Sequence, residues 1–114
     1  ACRLVVTDAE DLAFRDRAFD AVVATCVFCS VPDPLRGLRE VRRVLKNGGE
    51  VLLLEHMRPR GWLGRLFDLV DPIVNRVMGP HVNRRTLDTI REAGLIVVEE
   101  RSVFSDWIKL IVAR

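Results

Sequence analysis

The order of apolar runs and polar breaks is the feature that most constrains this chain. Arg3-Leu4-Val5-Val6-Thr7 leads into Asp8-Ala9-Glu10-Asp11-Leu12. A near-continuous apolar run extends from Phe19 to Val31, and Val51-Leu52-Leu53-Leu54 runs into Glu55-His56. Runs of this kind read as strands covered on both faces. Each leaves polar residues at its carboxyl end, where open α/β sheets place their ligand crevice.

Between the second and third runs the sequence predicts a helix from Asp33 to Lys46. Asp33 suits the N-cap and Pro34 the first helical position. Leu35, Leu38, Val41 and Leu45 recur at helical spacing, leaving Arg36, Arg39, Glu40, Arg42 and Arg43 as a solvated face. Gly48 supplies the stop. Strand, helix and strand joined this way predict a βαβ unit with parallel strands. Trp62 to Met78 reads as one kinked helix or two short ones, broken at Pro72. Asn83 is expected to cap a helix from about Arg84 to Ala93, with Gly94 as its stop. Leu95 to Phe104 and Trp107 to Ala113 read as an antiparallel strand pair.

At 114 residues the chain is one domain, 1–114, with room for a single core. The net charge is only +2, and most basic residues sit beside acids. That excludes the usual nucleic-acid footprint. The mildest basic excess is Arg58, Arg60 and Arg65, flanking Trp62 and Phe67. No run approaches the roughly 20 apolar residues that span a bilayer, and the start has no signal-peptide pattern. The chain opens on Ala1, part-way into the first run, so a fragment of a longer protein is expected.

Cys2, Cys26 and Cys29 are an odd number in apolar surroundings. That fits reduced thiols and a cytoplasmic protein. Cys26-x-x-Cys29 would need two further ligands to hold zinc, and none is evident. Residues three apart on a strand face opposite ways, so burial is favoured over metal or redox work, and no metal is expected.

Taken together, Asp8-Ala9-Glu10-Asp11-Leu12, Phe19-Asp20-Ala21-Val22-Val23, Leu38 through Gly49 and Leu53-Leu54-Glu55-His56 resemble class I S-adenosylmethionine-dependent methyltransferases, with a methyltransferase type 11 domain. Cys29-Ser30-Val31, Glu55-His56 and Asn83-Arg84 are similar to the methyltransferase-like 7 group of small-molecule and thiol methyltransferases. The resemblance implies a partial Rossmann-like α/β fold, the third to seventh strands, ending in an antiparallel pair. That family's first strand, glycine-rich turn and ribose-binding acid have no counterpart here. Its first strand lies between the third and fourth, so residues 3–7 are expected to lack a neighbour. They would be displaced, frayed, or paired with another copy in a homodimer.

The resemblance also assigns roles. Asp8, Ala9 and Glu10 would line the adenine pocket of S-adenosylmethionine, and Thr25 and Cys26 would border its methionine part. His56 would border the acceptor as a general base, since histidine exchanges protons near neutrality; ordering of the next loop is its structural alternative. Cys29, Glu55 and His81 would line the acceptor mouth. Segment 62–78 would cover an apolar acceptor or touch a membrane surface peripherally, with core packing as the plain alternative. The implied activity is methyl transfer to a small, fairly apolar acceptor of thiol, quinone, lipid or phenol type. The alternative is a non-catalytic remnant that binds no cofactor.

Overall fold

We describe residues 2–56, 61–78, 86–104 and 108–114 from a computed structural model. The elements follow in the order β1 (Phe19–Thr25), α1 (Pro34–Val44), β2 (Leu45–His56), α2 (Gly61–Met78), α3 (Thr86–Glu92), β3 (Val97–Phe104) and β4 (Ile108–Ala113). The four strands form one mixed sheet ordered β1-β2-β4-β3. β1 and β2 are parallel, with Val22 opposite Val51 and Thr25 opposite Leu54. β4 runs antiparallel to both β2 and β3. This is the expected α/β architecture, a parallel βαβ unit followed by an antiparallel pair.

Local chemistry explains α1. The Asp33 carboxylate accepts from the Arg36 amide at 3.0 Å, and Pro34 fills the first turn. Gly37, Leu38, Val41 and Val44 form the buried face, while Arg42 and Arg43 sit in the last turn, where the helix dipole favours cations. Leu38 and Val41 pack with Val51, Leu53, Ile90 and Ile111 in the central cluster. Burying each such side chain contributes about 1.5–3 kcal/mol. Gly37 is there for space: a Cβ would lie 2.9 Å from the Phe28 ring and 3.3 Å from the Ala9 carbonyl oxygen.

Several boundaries differ from the sequence expectation. Arg3 to Thr7 forms no strand, and Leu4, Val5 and Val6 are exposed. β-branched residues alone do not hold a strand without a ladder partner, and no described strand pairs with this run. The expected third strand is therefore absent among the described residues. β1 stops at Thr25 instead of running to Val31, because the chain turns at 27–31: the Ser30 and Val31 amides donate to the Val27 carbonyl. α1 ends at Val44, and Gly48, at φ 78, lies within the start of β2. Segment 61–78 is one helix containing Pro72. α3 starts at Thr86, and residues 81–85, with the proposed Asn83 cap, lie outside the described residues. So do 105–107, the expected link between the last two strands.

Candidate functional site at the strand tips

The acidic turn is built by its own backbone. Asp11 donates its amide to the Asp8 carbonyl at 3.1 Å, and Asp8 Oδ1 accepts from the Glu10 amide at 2.8 Å. The Ala9 amide takes no part in these bonds. Glu10 Oε1 accepts from the Asp33 amide at 2.8 Å, which ties the turn to the start of α1. Asp8 is exposed, and Ala9 and Glu10 are half-buried. Gly37 brings the same turn against Phe28, so the acidic turn and the loop after β1 share one support.

That second loop is organised by a single carboxylate. Glu55, next to last in β2, has no exposed surface. Its Oε1 accepts from the Val27 and Phe28 amides at 3.1 and 3.0 Å, and its Oε2 from the Cys29 amide at 3.3 Å. Burial pushes this carboxyl above the ordinary glutamate range; the three amides oppose that rise, and burial prevails. Cys26 opens the loop at φ 51, in the left-handed region. Its amide donates to the Leu54 carbonyl at 2.7 Å.

The loop brings further groups together. Cys26 Sγ lies 3.6 Å from His56 Nδ1, within reach of a thiol–imidazole hydrogen bond. Cys29 Sγ donates to the Cys26 carbonyl at 3.3 Å. Burial of its sulfur, then the Glu55 charge, push the Cys26 thiol up, while a hydrogen bond with the Cys29 side chain opposes them. Burial likewise pushes up the Cys29 thiol.

The assigned residues thus fall into three sets. Thr25, Cys26 and His56 form the accessible tip of β1 and β2, and Asp8, Ala9 and Glu10 form the turn beside α1. Cys29 and Glu55 lie beneath this surface, with Glu55 committed to backbone amides rather than facing a mouth. His81 lies outside the described residues. Among the described residues no group of three or more histidines, cysteines or carboxylates is placed to hold a metal ion.

Two residues taken as part of a solvated face anchor a loop instead. Arg43 donates to the carbonyls of Phe14 and Leu12 at 2.8 and 2.9 Å, to Asp16 at 2.7 Å, and to both Glu40 oxygens. Glu40 in turn accepts from the Leu12 amide at 2.9 Å. Hydrogen bonding to Arg43 holds the Glu40 carboxyl below its ordinary range. The only sequence signal was the 40–43 spacing of opposite charges, which would serve equally well on a bare helix surface.

Comparison with known proteins places this geometry. A family model described as a methyltransferase domain matches residues 1–53. Over this stretch the chain is similar to methyltransferase domains. A spinach protein named 2-methyl-6-phytyl-1,4-hydroquinone methyltransferase is 44% identical over 66 residues, 58% of this chain and 19% of that protein. A rat thiol S-methyltransferase is 37% identical over 95 residues, 80% of this chain and 39% of its own length. The chain therefore spans well under half of these relatives. Among solved structures, the [4+2]-cyclase SpnF superposes with a TM-score of 0.76 at 18% identity, over 96% of this chain and 55% of that one. A methyltransferase from Methanosarcina mazei gives 0.71 at 24% identity, over 96% and 65%. At these identities the structural likeness establishes the fold alone, and SpnF carries that fold under the name of a cyclase.

Proposed function

We propose that this chain forms one side of an S-adenosylmethionine-dependent methyl-transfer site for a small, apolar acceptor of quinone or thiol type. The observation that carries this is that the Asp8-Ala9-Glu10 turn shares one support with the Cys26–His56 tip, which lies at the carboxyl ends of the parallel strands β1 and β2. The named activities of the spinach and rat relatives support the acceptor class.

The residues fit the adenine side of the cofactor. Asp8 can accept from an exocyclic amino group, and the Ala9 amide, unused within the turn, can donate to a ring nitrogen. Thr25 and Cys26 border the donor. S-adenosylmethionine supplies a methyl group activated by a positive sulfonium. In the tautomer whose Nδ1–H donates to Cys26 Sγ, His56 offers the Nε2 lone pair to take the acceptor's proton. Glu55 holds loop 27–29 in position beneath.

S-adenosylhomocysteine tests this reading by thermal shift. A ligand that binds only the native state stabilises it by about 2.7 kcal/mol at a hundredfold excess over Kd. The expected result is an upward shift that Asp8→Ala abolishes. An unchanged melting temperature at saturating concentrations would instead favour the non-catalytic remnant.

A second reading rests on α2. Trp62, Leu66, Leu69, Ile73 and Val77 form an exposed apolar stripe, with Trp62 75% and Val77 78% exposed and Arg65 and Arg76 beside it. No helix of the described residues is long and apolar enough to cross a membrane. The stripe suits a helix lying in an anionic membrane surface. Co-sedimentation with anionic vesicles is expected, and Leu66→Asp with Leu69→Asp should abolish it. Equal sedimentation of the variant would remove this reading.

A further inference from the structure

On a continuous strand, Cys26 and Cys29 would point to opposite faces. The structure does something else. β1 ends one residue before Cys26, Cys26 takes the left-handed conformation, and residues 27–31 form a turn. This folds Cys29 back, so that its Sγ reaches the Cys26 carbonyl at 3.3 Å. Glu55 fixes the turn through three amides, so both cysteines sit on one held turn. Cys26 is exposed, Cys29 is buried, and His56 Nδ1 stands 3.6 Å from Cys26 Sγ, where the Nε2–H tautomer can take the thiol proton.

We propose that Cys26 and Cys29 are a redox-active dithiol that exchanges with low-molecular-weight disulfides such as oxidised glutathione. An accessible sulfur with a second thiol on the same turn suits such chemistry, and because burial holds both thiols up, the attacking thiolate forms by proton transfer from Cys26 to His56. The Cys26 thiolate attacks one sulfur of the disulfide, forming a mixed disulfide and releasing one glutathione thiolate. The Cys29 thiolate then attacks Cys26 Sγ and releases the second. The pair loses two electrons to the glutathione disulfide, and the two thiol protons end on the two glutathiones. The inference stands without the methyl-transfer reading, because no step uses the cofactor.

The test uses the full chain carrying Cys2→Ser, which removes the remaining exposed thiol. The protein is incubated with oxidised glutathione, alkylated, and weighed intact. Trypsin leaves both cysteines in the single peptide 18–36, so a bridge is read directly there. The expected product has lost two hydrogens, carries neither glutathione nor alkyl group, and returns to the dithiol with excess reduced glutathione. Cys26→Ser in the same background should leave Cys29 unmodified while far-UV circular dichroism stays unchanged. Stable glutathione adducts on both cysteines, or free alkylation of both after oxidation, would overturn the proposal.

Discussion

Two loops flank β1, and each is held by one charged side chain. Before the strand, residues 12–16 are gathered by the Arg43 guanidinium, which is half-buried and shared with two carboxylates. After it, residues 27–29 are gathered by the Glu55 carboxylate, which is fully buried and accepts from three backbone amides. The first clamp exchanges water for protein at modest gain. The second satisfies amides that are largely buried. The clamp beneath the candidate site is therefore the more consequential one, although both loops look equally well bonded.

Removing the buried clamp should show the largest effect. Glu55→Ala leaves three amides without their acceptor, at about 1–3 kcal/mol for each unsatisfied group. Allowing for relaxation, a loss of about 3–5 kcal/mol is expected, read from urea unfolding. If Arg43→Ala lowers the midpoint as far, the distinction between the clamps fails.

Gly37→Ala comes next. The added methyl meets the Phe28 ring at 2.9 Å and the Ala9 carbonyl. Overpacking of this kind costs about 1–3 kcal/mol. A variant as stable as the parent would mean that the acidic turn and loop 27–29 do not share a rigid support.

Arg43→Lys keeps the charge but loses the planar fork. Faster amide hydrogen exchange of Leu12, Arg17 and Ala18 is expected, with exchange at 27–29 unchanged. Equal acceleration in both loops would show that the clamps are not independent.

The smallest effect is in pH dependence, and its sign separates the two carboxylates. Glu40 lies below its ordinary value of 4.5, so its contribution is present above that value and lost as pH falls through its folded value. Glu55 lies above its ordinary value, so its contribution is full below 4.5 and lost as pH rises through its folded value. Across an acid-to-neutral series, the stability of the parent relative to Glu40→Gln should therefore rise, and relative to Glu55→Gln should fall. Parallel profiles would contradict this assignment.

Much of the fold was legible because its signals are local. Asp33, Pro34 and the 38–41–45 spacing define α1 within one stretch, and Val51 to Leu54 reads as a strand unaided. The loop after β1 was not legible: Phe19 to Val31 is apolar almost throughout, and what turns the chain is a carboxylate 26 to 28 positions away. Arg43 was hidden for the same reason, since its partners lie 27 to 31 residues upstream. The first run misled in the other direction. Its β-branched residues promise a strand, but a strand exists only with a partner. Of the site, the acidic turn and the Glu55-His56 pair could be located in sequence, but not which of them faces outward.

The contact at Gly37 also sets a rule for anyone redesigning this rim. Positions 9, 28 and 37 occupy one volume, so their tolerances cannot be learned one at a time. A library that varies position 37 against the native Phe28 should return little besides glycine. One that varies 28 and 37 together should recover size-compensated pairs, such as leucine at 28 with alanine at 37. Neighbours that share a volume give non-additive effects, and here the shared volume joins two loops that are distant in the chain.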